Sequence, residues 1–331
     1  MKITAGLGSV DEYVRYVQAG ANEFFCGYVP YEWNKRYGTV LPLNRREVLG
    51  VNVQIGSESE LRILAALVQK YGRPVHLTLN ALYYTPEQYP RIAEVMERCK
   101  ALGFSSFILA DPALLVYLQE QGISCSIHLS GETAEVNCGM LQEFDRFGIR
   151  RLIFHRKNSF ADMKSVSAAE RKKSNAGTME FEAFALNEMC QFTGAFCNSL
   201  HCDELGHLCR VSYRLGDRYG SKAAKQNDVS ERSEEKDVPY DDDGYLCGET
   251  GCGLCALYAL REVGITHLKL VGRGNYVDFM EKDIRNLRRA LDILKASKTE
   301  KDYINSMKKI LFPYGCSGNC YYRQHYYRSK K

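Results

Sequence analysis

No stretch of the chain approaches the ~18 consecutive apolar residues of a membrane-spanning helix. The opening segment MKITAGLGSVDEYV holds no apolar run long enough for an export signal. A cytoplasmic protein with no membrane association is the expectation. Net charge is also scarce: 44 basic against 40 acidic residues leave +4, too little to mark a nucleic-acid binder from charge alone. Neither G-x-S-x-G nor H-E-x-x-H occurs. Two local hydrolase signatures are therefore missing, although catalytic partners can converge from distant segments. The tightly paired C-x2-C and C-x2-C spacing of a zinc ribbon is absent as well.

What the chain does hold is cysteine, thirteen in 331 residues. Without an export signal these thiols are expected to stay reduced, which favours ligation or burial over disulfides. Cys26, Cys99, Cys125 and Cys138 stand singly and read as small core residues, with Cys26 a remote candidate for an extra ligand. The other nine follow residue 189. The densest stretch, Phe181 to Arg210, carries Cys190, Cys197, Cys202 and Cys209 with His201 and His207 just after an apolar alternating run. Cys190 and Cys197 lie seven apart, about 10 Å of rise on a straight helix, so one metal centre takes both only if the chain turns, as Gly194 would allow. Further on, Cys247, Cys252 and Cys255 have the C-x4-C-x2-C spacing of plant-type ferredoxin clusters. Iron–sulfur is the leading reading of these thiols, with zinc or no metal as alternatives.

Eight short β-rich runs alternate with segments of helical period, beginning at Ile3, Glu23, Val75, Ser106, Cys125, Arg151, Phe181 and His267. Several helices close on glycine, at Gly20, Gly72, Gly103, Gly122, Gly148 and Gly264. Strand, helix, glycine, strand is the order of parallel βαβ units, and eight such units predict a TIM-like (β/α)8 barrel. An open doubly wound sheet is the alternative. The expected organisation is a barrel over residues 1–296, interrupted after the seventh strand by a cysteine-rich and partly disordered insertion at 187–250, then a C-terminal appendage at 297–331. The stretch SKAAKQNDVSERSEEKDVPYDDDG within the insertion is nearly free of large apolar residues. In a barrel an insertion there lies on the active-site face. The appendage ends in interleaved tyrosines and basic residues, which read either as a solvated tail or as a base-stacking surface. The segment YVPYEWNKRYG around Trp33 reads as an aromatic, basic loop.

Polar residues at strand ends are the natural pocket lining of a barrel. Asn80, Asp111, His128, Arg156 and Arg273 are the substrate-binding candidates. Arginine at a strand mouth suits a carboxylate or phosphate through its planar fork. Asp111 before Pro112 also reads as a helix cap, and His128 as a hydrogen-bonded core residue.

Taken together, Glu182-Ala183-Phe184, then Cys190 and Cys197, resemble the signature of peptidase family U32. Cys209-Arg210 is similar to that family's later C-R, and LKLVGR at Leu268 to Arg273 to its K-I-E-G-R. Upstream, AGANEFFCG, LTLNAL, LADPALL and IHLSGETAEVN resemble further family segments, in the family's order. The departures are Asn187 where the family has glycine, Gly194 one position early, Val271 in place of a glutamate, and His155-Arg156-Lys157 in place of R-E. The resemblance implies a barrel whose relatives support oxygen-independent hydroxylation of RNA or of a small aromatic ring, several with a 4Fe-4S cluster on four cysteines. Carried over, it implies Cys190, Cys197, Cys209 and Cys252 as ligands, the fourth alternatively Cys255 or Cys247. The expected partners are RNA or a small anionic or aromatic substrate, with a protein partner possible. The competing readings are a metal- or cysteine-dependent endopeptidase and a non-catalytic, cluster-carrying subunit.

Overall fold

The computed structural model describes residues 1–38, 42–45, 53–134, 136–173, 179–190 and 240–322. In chain order the elements are β1 (Lys2–Gly6), α1 (Glu12–Ala19), β2 (Glu23–Gly27), α2 (Tyr31–Tyr37), α3 (Glu58–Tyr71), β3 (Val75–Leu79), α4 (Tyr89–Ala101), β4 (Ser106–Leu109) and α5 (Pro112–Glu120). There follow β5 (Ser126–Leu129), α6 (Cys138–Phe144), β6 (Ile149–Ile153), α7 (Phe160–Glu170), β7 (Glu180–Leu186), α8 (Leu257–Glu262), β8 (His267–Leu270), α9 (Val277–Ala296) and α10 (Glu300–Leu311). The eight strands are hydrogen-bonded in sequence order and close, β8 pairing in parallel with β1 from Lys2 opposite His267. The (β/α)8 barrel expected from the strand count is the observed fold.

Local chemistry explains the helix bounds. Ser57 opens α3 with a capping box, its hydroxyl accepting from Glu60 N while the Glu60 carboxylate accepts from Ser57 N, and Gly72 closes the helix at φ 65°. Ser159 and Asp162 do the same for α7. Asp111 starts α5 ahead of Pro112, accepting from Ala113 N.

Two packed regions result. One lies between the strands and the helical ring, with Phe24, Leu64, Leu109, Leu152 and Leu287 among its fully buried members. The other fills the barrel. There Glu23 (β2), Arg151 (β6), Glu182 (β7) and His267 (β8) meet across non-adjacent strands, which only inward-pointing side chains can do. Two residues further along their strands, on the same face, Phe25, Ile153 and Phe184 join Ile108 in an apolar layer. Charge at the base, hydrocarbon above it, and a cavity on top is the order of the barrel interior.

The segment around Trp33, read from sequence as a loop, forms the short helix α2, and Trp33 is buried. Its indole packs at 4.7 Å from the ring of Tyr37. The long polar stretch at 221–239 and the tail from residue 323 lie outside the described residues, as does the bulk of the insertion. Helix α10 belongs to the appendage, and Tyr303 ties it to the rest of the protein by donating to Leu254 O at 2.6 Å.

Candidate functional site

Strand C-termini place a cavity of ≈ 470 Å³ at the mouth of the barrel, within the size range of small-molecule sites. Its floor is the apolar layer. Phe25 and Phe184 present ring faces there, and cations lie over both: Lys269 Nζ is 3.7 Å from the Phe25 centroid, and the Arg156 guanidinium carbon is 3.8 Å from that of Phe184. Arg273 approaches from β8, donating to Asn44 Oδ1 and Thr78 Oγ1, each at 3.3 Å. Arg45, Arg156, Lys269 and Arg273 face the carboxylates Glu132 and Glu188 around the rim, so the lining carries an excess of positive charge. Gly27 at the end of β2 makes room for this arrangement. A Cβ there would lie 2.7 Å from Asn44 Nδ2 and 2.9 Å from Arg273 Nη1.

Beneath the floor the charges are paired. Arg151 donates to Glu180 at 2.8 and 3.0 Å, to Glu182 at 2.8 Å and to Glu23 at 3.1 Å. Burial pushes the Glu23 carboxyl up, but His267, His76 and Arg151 outweigh it and hold it well below the ordinary range. Burial likewise opposes ionisation of Glu182, and Lys269 and Arg151 overcome it. For Lys269 the balance differs. Burial lowers its ammonium pKa by more than Glu182, 3.0 Å away, restores.

The chain reaches the rim from β7 by an unusual turn. Asn187 and Glu188 both have positive φ, 67° and 48°, a left-handed backbone that asparagine tolerates and glutamate rarely adopts. Asn187 is secured through its side chain, which donates to Asp283 Oδ2 at 2.7 Å, and through its N–H to Gly251 O at 2.8 Å. The turn delivers Glu188, Met189 and Cys190 to the cavity.

Of the residues singled out in the sequence, Asn80, Arg156, Arg273 and Cys190 come together in this lining. Asp111 lies apart from it, accepting from Ala113 N, Tyr84 N and Tyr89 Oη as a helix cap. His128 points into the barrel base, 4.4 Å from the ring of His76 and beside Ser106; burial and His76 keep it neutral. Cys197 and Cys209 fall outside the described residues. Cys252 and Cys255 line a different, smaller cavity, and Cys247 is buried near Tyr245 and Asp283. Among the described residues, Cys190 is therefore the cysteine of the mouth lining. The sequence reading passed over Lys269, Glu132, Glu188 and the two phenylalanines. For Lys269 and Phe184 the signal was the alternation Glu180, Glu182, Phe184 and His267, Lys269 on strands buried on both faces.

Comparison with known proteins gives one family match: the model of peptidase family U32 fits residues 8–330. Among solved structures the chain is similar to the U32 peptidase Mk0906, at 13% identity over 56% of this chain and 69% of that one, TM-score 0.40. It is also similar to dihydrodipicolinate synthase from Bacillus clausii, at 9% identity over 93% and 78%, TM-score 0.47.

Proposed function

Because the chain belongs to peptidase family U32, we propose that its barrel mouth binds a planar, anionic substrate, a nucleotide of RNA or a small aromatic acid, and supports its oxygen-independent hydroxylation or a related modification. The observation that carries this reading is Arg156. Its guanidinium lies over Phe184 in the cavity wall, and its buried Nε has no hydrogen-bond partner among the described residues. A buried donor of that kind is costly until a ligand accepts from it. Arg273 and Lys269 supply further positive charge over Phe25, and the two rings, which line the cavity, offer a planar group an apolar bed.

Cys190 shares the cavity with Arg156, and a guanidinium beside a thiolate offsets negative charge, so this residue fits a cluster ligand. If a 4Fe-4S cluster is bound, Cys190 would hold it with Cys197 and Cys209, and it would supply one-electron transfer at the mouth. Cys252, the fourth candidate, lines another cavity, and Cys197 and Cys209 lie outside the described residues. The protein's own groups have separable tasks. Arg156 and Arg273 hold the anionic part of the substrate, Phe25 and Phe184 orient its ring, and Lys269, whose pKa burial lowers, is one group of the lining able to give or take a proton.

The test is anaerobic purification with iron and acid-labile sulfide analysis, joined to mass-spectrometric comparison of RNA nucleosides between parent and deletion strains. Iron and sulfide in the protein, and a modified nucleoside lost from the deletion strain, are the expected results. A colourless protein that cleaves gelatin, with the cleavage abolished by Cys190→Ala, would establish the peptidase instead.

A further inference from the structure

Cys252, Cys255, Cys316 and Cys320 line one small cavity of ≈ 20 Å³ together with Gly253, Phe312 and Tyr322. Two of these thiols precede α8 and two follow α10, so the sequence gives little hint that they meet. The backbone fixes their approach. Cys252 and Cys320 are partners in a parallel bridge, with Cys252 N donating to Asn319 O at 2.7 Å and Tyr321 N to Cys252 O at 2.9 Å. Cys255 follows on the 3-10 turn Leu254–Ala256, and both it and Cys252 line the cavity. Cys316 and Cys320 flank Gly318, whose φ of 73° reverses the chain between them.

The two loops are also sewn to each other around the thiols. Ser317 Oγ donates to Gly248 O at 2.8 Å, and Asn319 Nδ2 to Glu249 O at 2.6 Å. Gly248 leaves space for a sulfur: a Cβ there would lie 2.6 Å from Cys252 Cβ and 3.0 Å from Cys252 Sγ. Beyond the cysteines the segment has little of its own to hold it, since Tyr314 is 87% exposed and Cys316 is exposed as well. A C-x2-C turn facing a C-x3-C turn is the donor set of a closed tetrahedral metal site. The volume suits one ion, being about that of a single water. None of the ten described cysteines is in a disulfide.

We propose that Cys252, Cys255, Cys316 and Cys320 form a tetrathiolate site for a single zinc ion. Among the described residues no group of three or more histidine, cysteine, aspartate or glutamate side chains is already drawn around one point. Loading therefore consists of rotating the four thiols inward on a backbone that the hydrogen bonds have set, with release of their protons to solvent as the thiolates bind. The site is structural, and it is distinct from the mouth where Cys190 lies. Its reach extends to that mouth through the same loops. Gly251 O accepts from Asn187 N at 2.8 Å and Thr250 O from Met189 N at 2.9 Å, under the turn that presents Glu188 and Cys190. On the other side Tyr321, next to Cys320, packs on the apolar layer of Phe25, Ile108, Ile153 and Phe184. Zinc here would pin both walls.

The experiment measures zinc, iron and acid-labile sulfide per chain in the full-length protein after zinc loading and dialysis, for the wild type and for Cys316→Ser, Cys320→Ser and Cys190→Ser. The expected pattern is one zinc in the wild type and in Cys190→Ser, and loss of zinc in Cys316→Ser and Cys320→Ser. A second readout guards against mere misfolding: in the cobalt(II) form, Cys316→His retains the metal but shifts the thiolate-to-cobalt bands, as one sulfur is exchanged for nitrogen. Zinc undiminished by both serine variants, a zinc-free wild type, or loss of iron and sulfide in place of zinc on changing Cys316 would each overturn the proposal. Iron and sulfide absent from every sample, with the zinc pattern intact, would defeat the cluster at the mouth and leave this site standing.

Discussion

Lys269 Nζ lies 3.0 Å from Glu182 Oε1 and 3.7 Å above the ring of Phe25. One ammonium thus belongs both to the charge network at the barrel base and to the floor of the mouth. Whatever binds at the mouth acts on a cation already engaged from below, and removing either partner disturbs both levels.

Glu182→Gln leaves Lys269 buried without its carboxylate. Breaking a buried pair by removing one partner costs about 3–5 kcal/mol, and a loss of that order in denaturant unfolding is expected. Glu182→Gln combined with Lys269→Met should be less destabilised than the two singles added together. Strict additivity in this cycle would show that the two groups are not coupled.

Arg151 serves three carboxylates, Glu23, Glu180 and Glu182, each held below its ordinary value of 4.5. Groups of this kind add stability above pH 4.5, and the contribution is lost as pH falls through their depressed values. The wild type should therefore lose stability steeply below about pH 4.5. Arg151→Leu, already destabilised at pH 7, should show a flatter acid limb. Parallel acid limbs in the two proteins would rule out the guanidinium as the cause.

Asp283 behaves in the opposite sense. Burial raises its carboxyl from 3.8 to about 6, against the hydrogen bonds from Asn187 and Tyr245. The folded protein binds this proton more tightly than the unfolded chain, so its contribution falls as pH rises between the two values. Two units correspond to about 3 kcal/mol. Asp283→Asn should gain stability relative to the wild type between pH 4 and pH 7 by an amount of that order. A stability difference independent of pH over this range would refute the assignment.

At the mouth, Arg156→Lys keeps the charge but loses the planar fork and its stacking on Phe184. With a nucleoside monophosphate as probe, calorimetric affinity should fall about 10–100-fold, the worth of one charge-assisted hydrogen bond. Gly27→Ala should weaken the same probe without touching it, because the new methyl displaces Asn44 and Arg273. Unchanged affinity in both variants would move the binding site elsewhere.

The barrel was legible because β-rich runs and glycine stops are local: β2 begins at Glu23 and α3 closes on Gly72, as read from the sequence. Helix α2 was not, since its seven residues are too few to show a period and its tyrosines, tryptophan and asparagine are weak helix formers, so tertiary burial of Trp33 decides the matter. The site was half legible. Arginines at strand ends announce themselves, whereas Lys269 and Glu182 sit mid-strand, where a charged residue has meaning only once the barrel closes around it. Asn187 is instructive. It stands where the family resemblance expects glycine, and its φ of 67° is a left-handed backbone that glycine adopts freely and asparagine tolerates. The meeting of Cys252 with Cys320 was invisible, for no local spacing encodes it.

The placement of Arg151 also governs how the polypeptide acquires its shape. Glu23 enters on the second strand, and its guanidinium arrives 128 residues later on the sixth. A nascent chain that has emerged only through β4 offers Glu23 the Thr4 hydroxyl and the His76 ring but neither Arg151 nor His267, so its buried charge is only partly matched until the later strands arrive. Ring closure waits for the later half of translation. A gene cut at its midpoint should yield an N-terminal fragment that stays open and soluble structure that returns only when both pieces are expressed together.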